Sequence, residues 1–89
     1  MATLFVRHTA SDYAAWRKVY DDTQPWAKSM GMTSEGVYQL DGNPNDITVY
    51  HEFPTMEAAK AFAASDELKE AMGKAGVVGT PDVWFANRV

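Results

Sequence analysis

Apolar and polar residues alternate at the start of the chain. TLFVRH, 3–8, puts Leu4, Val6 and His8 on one side and Phe5 and Arg7 on the other, the two-residue period of a strand. The pattern then changes. Tyr13, Trp16, Tyr20, Thr23 and Ala27 recur at spacings of three and four, one face of a helix that Ser11 or Asp12 can cap. Pro25 falls inside that stripe and predicts a kink or restart; Gly31 predicts its end. SEGVYQL, 34–40, and ITVYHEF, 47–53, read as two further strands around a loose loop, DGNPND, 41–46. Thr55 caps a second helix through Met56, Ala59, Phe62 and Ala63. Ser65-Asp66 is a fresh cap, so that helix breaks and restarts through Leu68 and Met72, and Gly76 closes it. Pro81 opens a last strand, VWFANRV.

The order βαββαβ predicts a single α+β domain over residues 1–89, ferredoxin-like, with a four-stranded antiparallel sheet in order 4-1-3-2 and the helices on one face. Alternation sends Leu4, Val6, His8, Ile47, Val49, His51, Phe53, Val83, Phe85 and Asn87 towards the helices. The other face carries Phe5, Arg7, Thr48, Tyr50, Glu52, Trp84, Ala86 and Arg88. That mixture of aromatic and charged side chains has the composition of a protein–protein interface. A homodimer through Arg7, Tyr50, Glu52 and Trp84 is therefore expected, with Glu52 balancing Arg7 from the neighbouring strand.

A register that pairs Leu4 with His51 and Asn87, and sets Gly36 beside His51, gathers these four in a row at one end of the sheet. Tyr20 and Trp26 reach the hollow above that row, and Met30 and Met56 border it. Such an apolar hollow with a few polar groups is the usual form of a small-ligand site. His51 reads either as a general base or hydrogen-bond donor to a ligand, or as a strand histidine satisfied by backbone or water. His8, expected at the opposite end, reads as part of a polar site with Asp12 or Tyr13, or as a bracket for the strand–helix turn. Histidines at opposite ends do not share a metal, and no metal site is expected.

Composition narrows the chemistry. The 89 residues are 46% hydrophobic and include no cysteine, which excludes disulfides, thiolate nucleophiles and cysteine-held metals. The net charge of −4, without a basic cluster, makes nucleic acid a poor partner. No run approaches the roughly 20 apolar residues of a membrane span, and no basic segment leads into an apolar one. A cytoplasmic protein is expected. HExxH, Walker, GxGxxG and GxSxG motifs are all missing, so no cofactor is expected.

LFVRHTASDYAAWRKVYDD, then HEF, then SDELKEAMGKAGVVGTPDVWF together resemble the small bacterial proteins of the dimeric α+β barrel superfamily, described as antibiotic biosynthesis monooxygenase-like or cyclase-like. The resemblance covers nearly the whole chain. Its most specific pieces are VRH…DY..W and AGVVG.PDVWF. It implies a ferredoxin-like subunit whose sheet pairs with its copy to close a barrel, and a pocket between sheet and helices. Haem degradation, found in one branch, is not expected, because strand 1 carries His8 in place of the asparagine of that branch and neither helix holds a histidine. Relatives of the nearest type often carry a histidine where this chain has Thr23. The implied activity is a cofactor-independent monooxygenase acting on a small aromatic or polyketide-like substrate. His51 or His8 would assist deprotonation of a phenol, and Asn87, Tyr20 and Trp26 would orient it. The alternative is a non-catalytic small-molecule-binding or stress-associated dimeric barrel.

Overall fold

The computed structural model describes residues 1–89. Its elements are β1 (Ala2–Ala10), α1 (Tyr13–Ser29), β2 (Ser34–Leu40), β3 (Asn43–Phe53), α2 (Met56–Ala63), α3 (Asp66–Lys74) and β4 (Val77–Asn87). All strand pairs are antiparallel, in the order β2-β3-β1-β4, which is the expected 4-1-3-2 read from the other edge. Each helix starts on a side-chain cap. Asp12 accepts from the Ala15 N–H at 3.2 Å, Thr55 from Ala58 at 3.1 Å and Ser65 from Leu68 at 3.3 Å. The Ser65 cap is what separates α2 from α3.

The core lies between the helices and one sheet face. Leu4, Val6, Ile47, Val49 and Phe53 are buried there against Trp16, Ala27, Ala59 and Phe62. The stripe read from the sequence is thus the face α1 turns inward. α3 contributes no fully buried residue and forms the most lightly held wall.

Four expectations need correction. Pro25 neither breaks nor restarts α1. It removes only the N–H that would bind the Asp21 carbonyl, and both residues lie on the exposed side where water can serve that carbonyl. The β2–β3 connection is the two-residue turn Asp41-Gly42, with Gly42 at φ 86°, not a loop over 41–46. β4 begins at Val77 rather than Pro81. Pro81 is tolerated inside it because β4 is an edge strand, and the pairing with β1 shifts between Arg7 and Thr9. Finally, Arg7 does not meet Glu52. Glu52 stands four positions along β3 from the Thr48 that pairs with Arg7, and Arg7 instead holds Asp46 with two hydrogen bonds of 3.1 and 2.9 Å. Glu52 lies 3.4 Å from Arg88.

Candidate functional site

A cavity of about 50 Å³ sits between the sheet and the helices. β1 supplies Leu4, Val6 and His8; β3 supplies Val49 and His51. These are alternate residues of adjacent strands, so all point the same way. α1 closes the roof with Trp16, Val19, Tyr20 and Thr23, which share one helical face. Phe62 of α2 and Leu68, Ala71 and Met72 of α3 complete the wall.

Aromatic rings run across this roof. Trp16 stacks on Tyr20 at 4.8 Å between centroids, with the planes 15° apart. A histidine stands at each end of that stack: His8 lies 5.5 Å from Trp16, and His51 5.9 Å from Tyr20 and 5.2 Å from Phe62. The two histidines therefore reach one cavity from two sides, rather than serving separate ends of the sheet. α1 runs across both, which a flat reading of strand positions does not convey.

Their surroundings differ. His8 is 7% exposed, and neither ring nitrogen has a partner in the protein. Burial lowers its pKa, and Asp46 offsets this in part. His51 is 5% exposed; its Nδ1 lies 2.9 Å from Sδ of Met32. Burial pushes its pKa down to about 4. Both rings are thus held towards the neutral form, in which each offers one donor and one acceptor. The Tyr20 hydroxyl donates to Oε1 of Glu35 at 3.2 Å. Burial, reinforced by the Glu35 carboxylate, raises the Tyr20 pKa, so the phenol stays protonated. No permanent charge lines the cavity.

The remaining expected positions fall elsewhere. Gly36 pairs with Tyr50, and Glu35 takes the place opposite His51. The tight Asp41-Gly42 turn and the shift between Gln39 and Leu40 set this register one residue from the expected one, which moves Gly36 to the other sheet face. A Cβ at Gly36 would run into the Tyr50 ring. Asn87 pairs with Ala2, while Leu4 faces Phe85. Asn87 is exposed at the sheet's end and borders a groove of about 410 Å³ on the face away from the helices. Trp26 stacks on Phe62 at 5.0 Å, and both Trp26 and Met30 are partly buried against the core rather than lining the hollow.

No protein-family model matches the sequence, and no curated protein matches it. Solved structures do match. SnoaB, a cofactor-independent oxygenase from Streptomyces nogalater, superposes with a TM-score of 0.76 at 13% identity, over 99% of this chain and 94% of that one. A crystallised antibiotic biosynthesis monooxygenase gives 0.76 at 12% identity, over 100% and 99%. A Bordetella bronchiseptica protein provisionally given the same description gives 0.83 at 13%, over 99% and 96%. The chain has the fold of these structures.

Within that fold, sequence reasoning missed Trp16, Val19 and Thr23 as cavity residues, along with Leu68, Ala71 and Met72. The signal for the first group was present: Trp16, Tyr20 and Thr23 stand four and three residues apart on the stripe already recognised. Leu68 and Met72 repeat at four in the same way. Met32 carries no periodic signal; it is the third residue past the end of α1.

Proposed function

We propose that the chain is a cofactor-independent monooxygenase that oxidises a small phenolic or polyketide-like aromatic between the sheet and the helices, as a cytoplasmic homodimer. One observation carries this reading. Two buried, neutral histidines face the same aromatic-walled cavity, and His8 has no protein partner on either nitrogen. A hydroxylated ring suits both features, stacking on Trp16 and Tyr20 and exchanging hydrogen bonds with the imidazoles.

The chemistry balances without an added reductant when the substrate is a hydroquinone. The phenol O–H gives its proton to a histidine. The electron-rich ring passes one electron to O₂, and the two radicals join through a new C–O bond. The carbon then loses its hydrogen as a proton, the O–O bond breaks, and water departs. The ring loses four electrons and O₂ gains four, one oxygen ending in the hydroxyquinone and the other in water. The cavity, at about 50 Å³, is small for a bicyclic substrate, which needs it wider. α3 is the wall that can move, because it buries no residue completely.

The test is turnover of 1,4-dihydroxynaphthalene under ¹⁸O₂. One labelled oxygen in the product, lost when His8 and His51 are both replaced by phenylalanine, supports the proposal. Undiminished labelling in the double variant sinks it. A second reading, a non-catalytic binder of the same ligand class, is favoured by the low pKa of His51, which makes a weak base. Saturable binding with no incorporated label selects it.

A further inference from the structure

We infer that Met32 holds His51 as its Nδ1–H tautomer and so leaves Nε2 as the hydrogen-bond acceptor of the site. The inference deepens the proposed function and rests on the same cavity. Its first support is the 2.9 Å contact between His51 Nδ1 and Met32 Sδ. A thioether sulfur has lone pairs and no hydrogen, so this contact is a hydrogen bond only when Nδ1 carries the proton. Burial keeps the ring neutral at pH 7, so it has one N–H to place. With that hydrogen on Nδ1, Nε2 keeps a lone pair; the one side-chain hydrogen bond of His51 is the one at Nδ1, and the ring lines the cavity.

The chain delivers Met32 to this point by construction. α1 ends at Ser29 with Met30 as its cap, and Gly31 follows with a φ of 104°, in the left-handed region that favours glycine. The turn sends the next residue back beneath the helix, where the Met32 N–H donates to the Ala27 carbonyl at 3.2 Å. One residue on, Thr33 is tied to β3 through the Glu52 carbonyl at 2.8 Å. Met32 is thus pinned on both sides and is 7% exposed. His51 is fixed equally well, between Leu4 on β1 and Glu35 on β2.

The consequence is a rule for the ligand. At His51 it must bring a donor, an O–H or N–H. An ether, ketone or carboxylate there would set lone pair against lone pair. The imidazole is also in the form that can receive a phenol's proton. Met32 is a positioning residue, acting through His51 without touching the ligand.

Long-range ¹H–¹⁵N spectra of histidine-labelled protein at pH 7 read the tautomer directly. The chain has two histidines, so one His8 substitution assigns both. Free neutral histidine in water favours Nε2–H. The wild type should instead show His51 protonated on Nδ1. Met32→Leu, similar in bulk and lacking an acceptor, should shift the population towards Nε2–H. Met32→Gln, whose amide oxygen can accept, should retain Nδ1–H. A wild type with Nε2–H, or a Met32→Leu variant with an unchanged tautomer, overturns the inference. Should Met32→Leu fail to fold, the wild-type spectrum alone still decides. No turnover is needed, so a chain without oxygenase activity can still pass this test.

Discussion

At the scale of the residue, the buried histidines make stability depend on pH. His51 has a pKa of about 4 in the folded chain, against about 6.5 unfolded. Between those values the unfolded chain binds a proton that the native state refuses. Stability therefore falls as pH drops through this window, and His51 adds no slope above it. At about 1.4 kcal/mol per pKa unit, the loss approaches about 3 kcal/mol by pH 4. His8, also lowered by burial, acts in the same direction. Asp46 acts in a separate window. Its hydrogen bond from Arg7 lowers its pKa, so its contribution fades only as pH falls below the usual carboxylate range. Urea midpoints measured from about pH 7 to about pH 4.5 should fall, and His51→Gln, which cannot titrate, should flatten the curve. An equal slope in His51→Gln would show that the ring titrates normally and is not desolvated as the cavity requires.

At the scale of the element, two glycines three residues apart should respond in opposite directions. Gly73 lies within α3 with open space where a Cβ would go. Gly73→Ala should stabilise by about 1 kcal/mol through helix propensity. Gly76 joins α3 to β4 at φ 77°, and a Cβ there would come 2.6 Å from Ser11 Oγ. Gly76→Ala should destabilise by about 1–2 kcal/mol, and more if Ser11 cannot turn away. Thermal or urea unfolding of the two variants checks both signs. The same distinction explains what could be read in the chain. Element type and order were legible, because the apolar period switches between two and 3.6 and because Thr55 and Ser65 announce helix starts. Register was not. Alternation fixes a residue's face only once a turn is known, and the tight turn at Gly42 put Glu35 rather than Gly36 opposite His51. Asn87 missed its expected place beside Leu4 because the pairing runs to Ala2, an offset that parity cannot detect. Trp16, Tyr20 and Thr23 were legible as a buried stripe. That the stripe roofs a hollow depends on how α3 packs beside α1, and α3 leaves no deeply buried position to mark it. Alternation already turned His8 towards the helices, whereas its sharing of a cavity with His51 and the place of Met32 depend on tertiary geometry.

At the scale of the whole molecule, the sheet face away from the helices is the feature a single chain leaves unpaired. Phe5 and Trp84 stack there at 5.4 Å, and Tyr50 lies 6.5 Å from Phe5. Trp84 remains 44% exposed and Tyr38 60%. Glu52 and Arg88 border the groove beside them. Aromatic surface of this kind costs free energy in water, and two copies related by a two-fold axis can cover it with the same patch on each. Such an interface closes on itself, so association should stop at two chains. Native mass spectrometry should then give twice the mass of one chain, and sedimentation should give a dimer whose dissociation constant depends on this face. Trp84→Glu should weaken it at least about tenfold, because each subunit would then bury a carboxylate without a partner, and about 1.4 kcal/mol already accounts for a factor of ten. The variant should still fold, since Trp84 lies outside the core that Leu4, Ile47 and Phe53 form on the helix side. A wild-type monomer at high concentration would leave the aromatic face in need of a different partner. An undiminished Trp84→Glu dimer would move the interface to another surface, and the exposed edges of β2 and β4 would be the next to test.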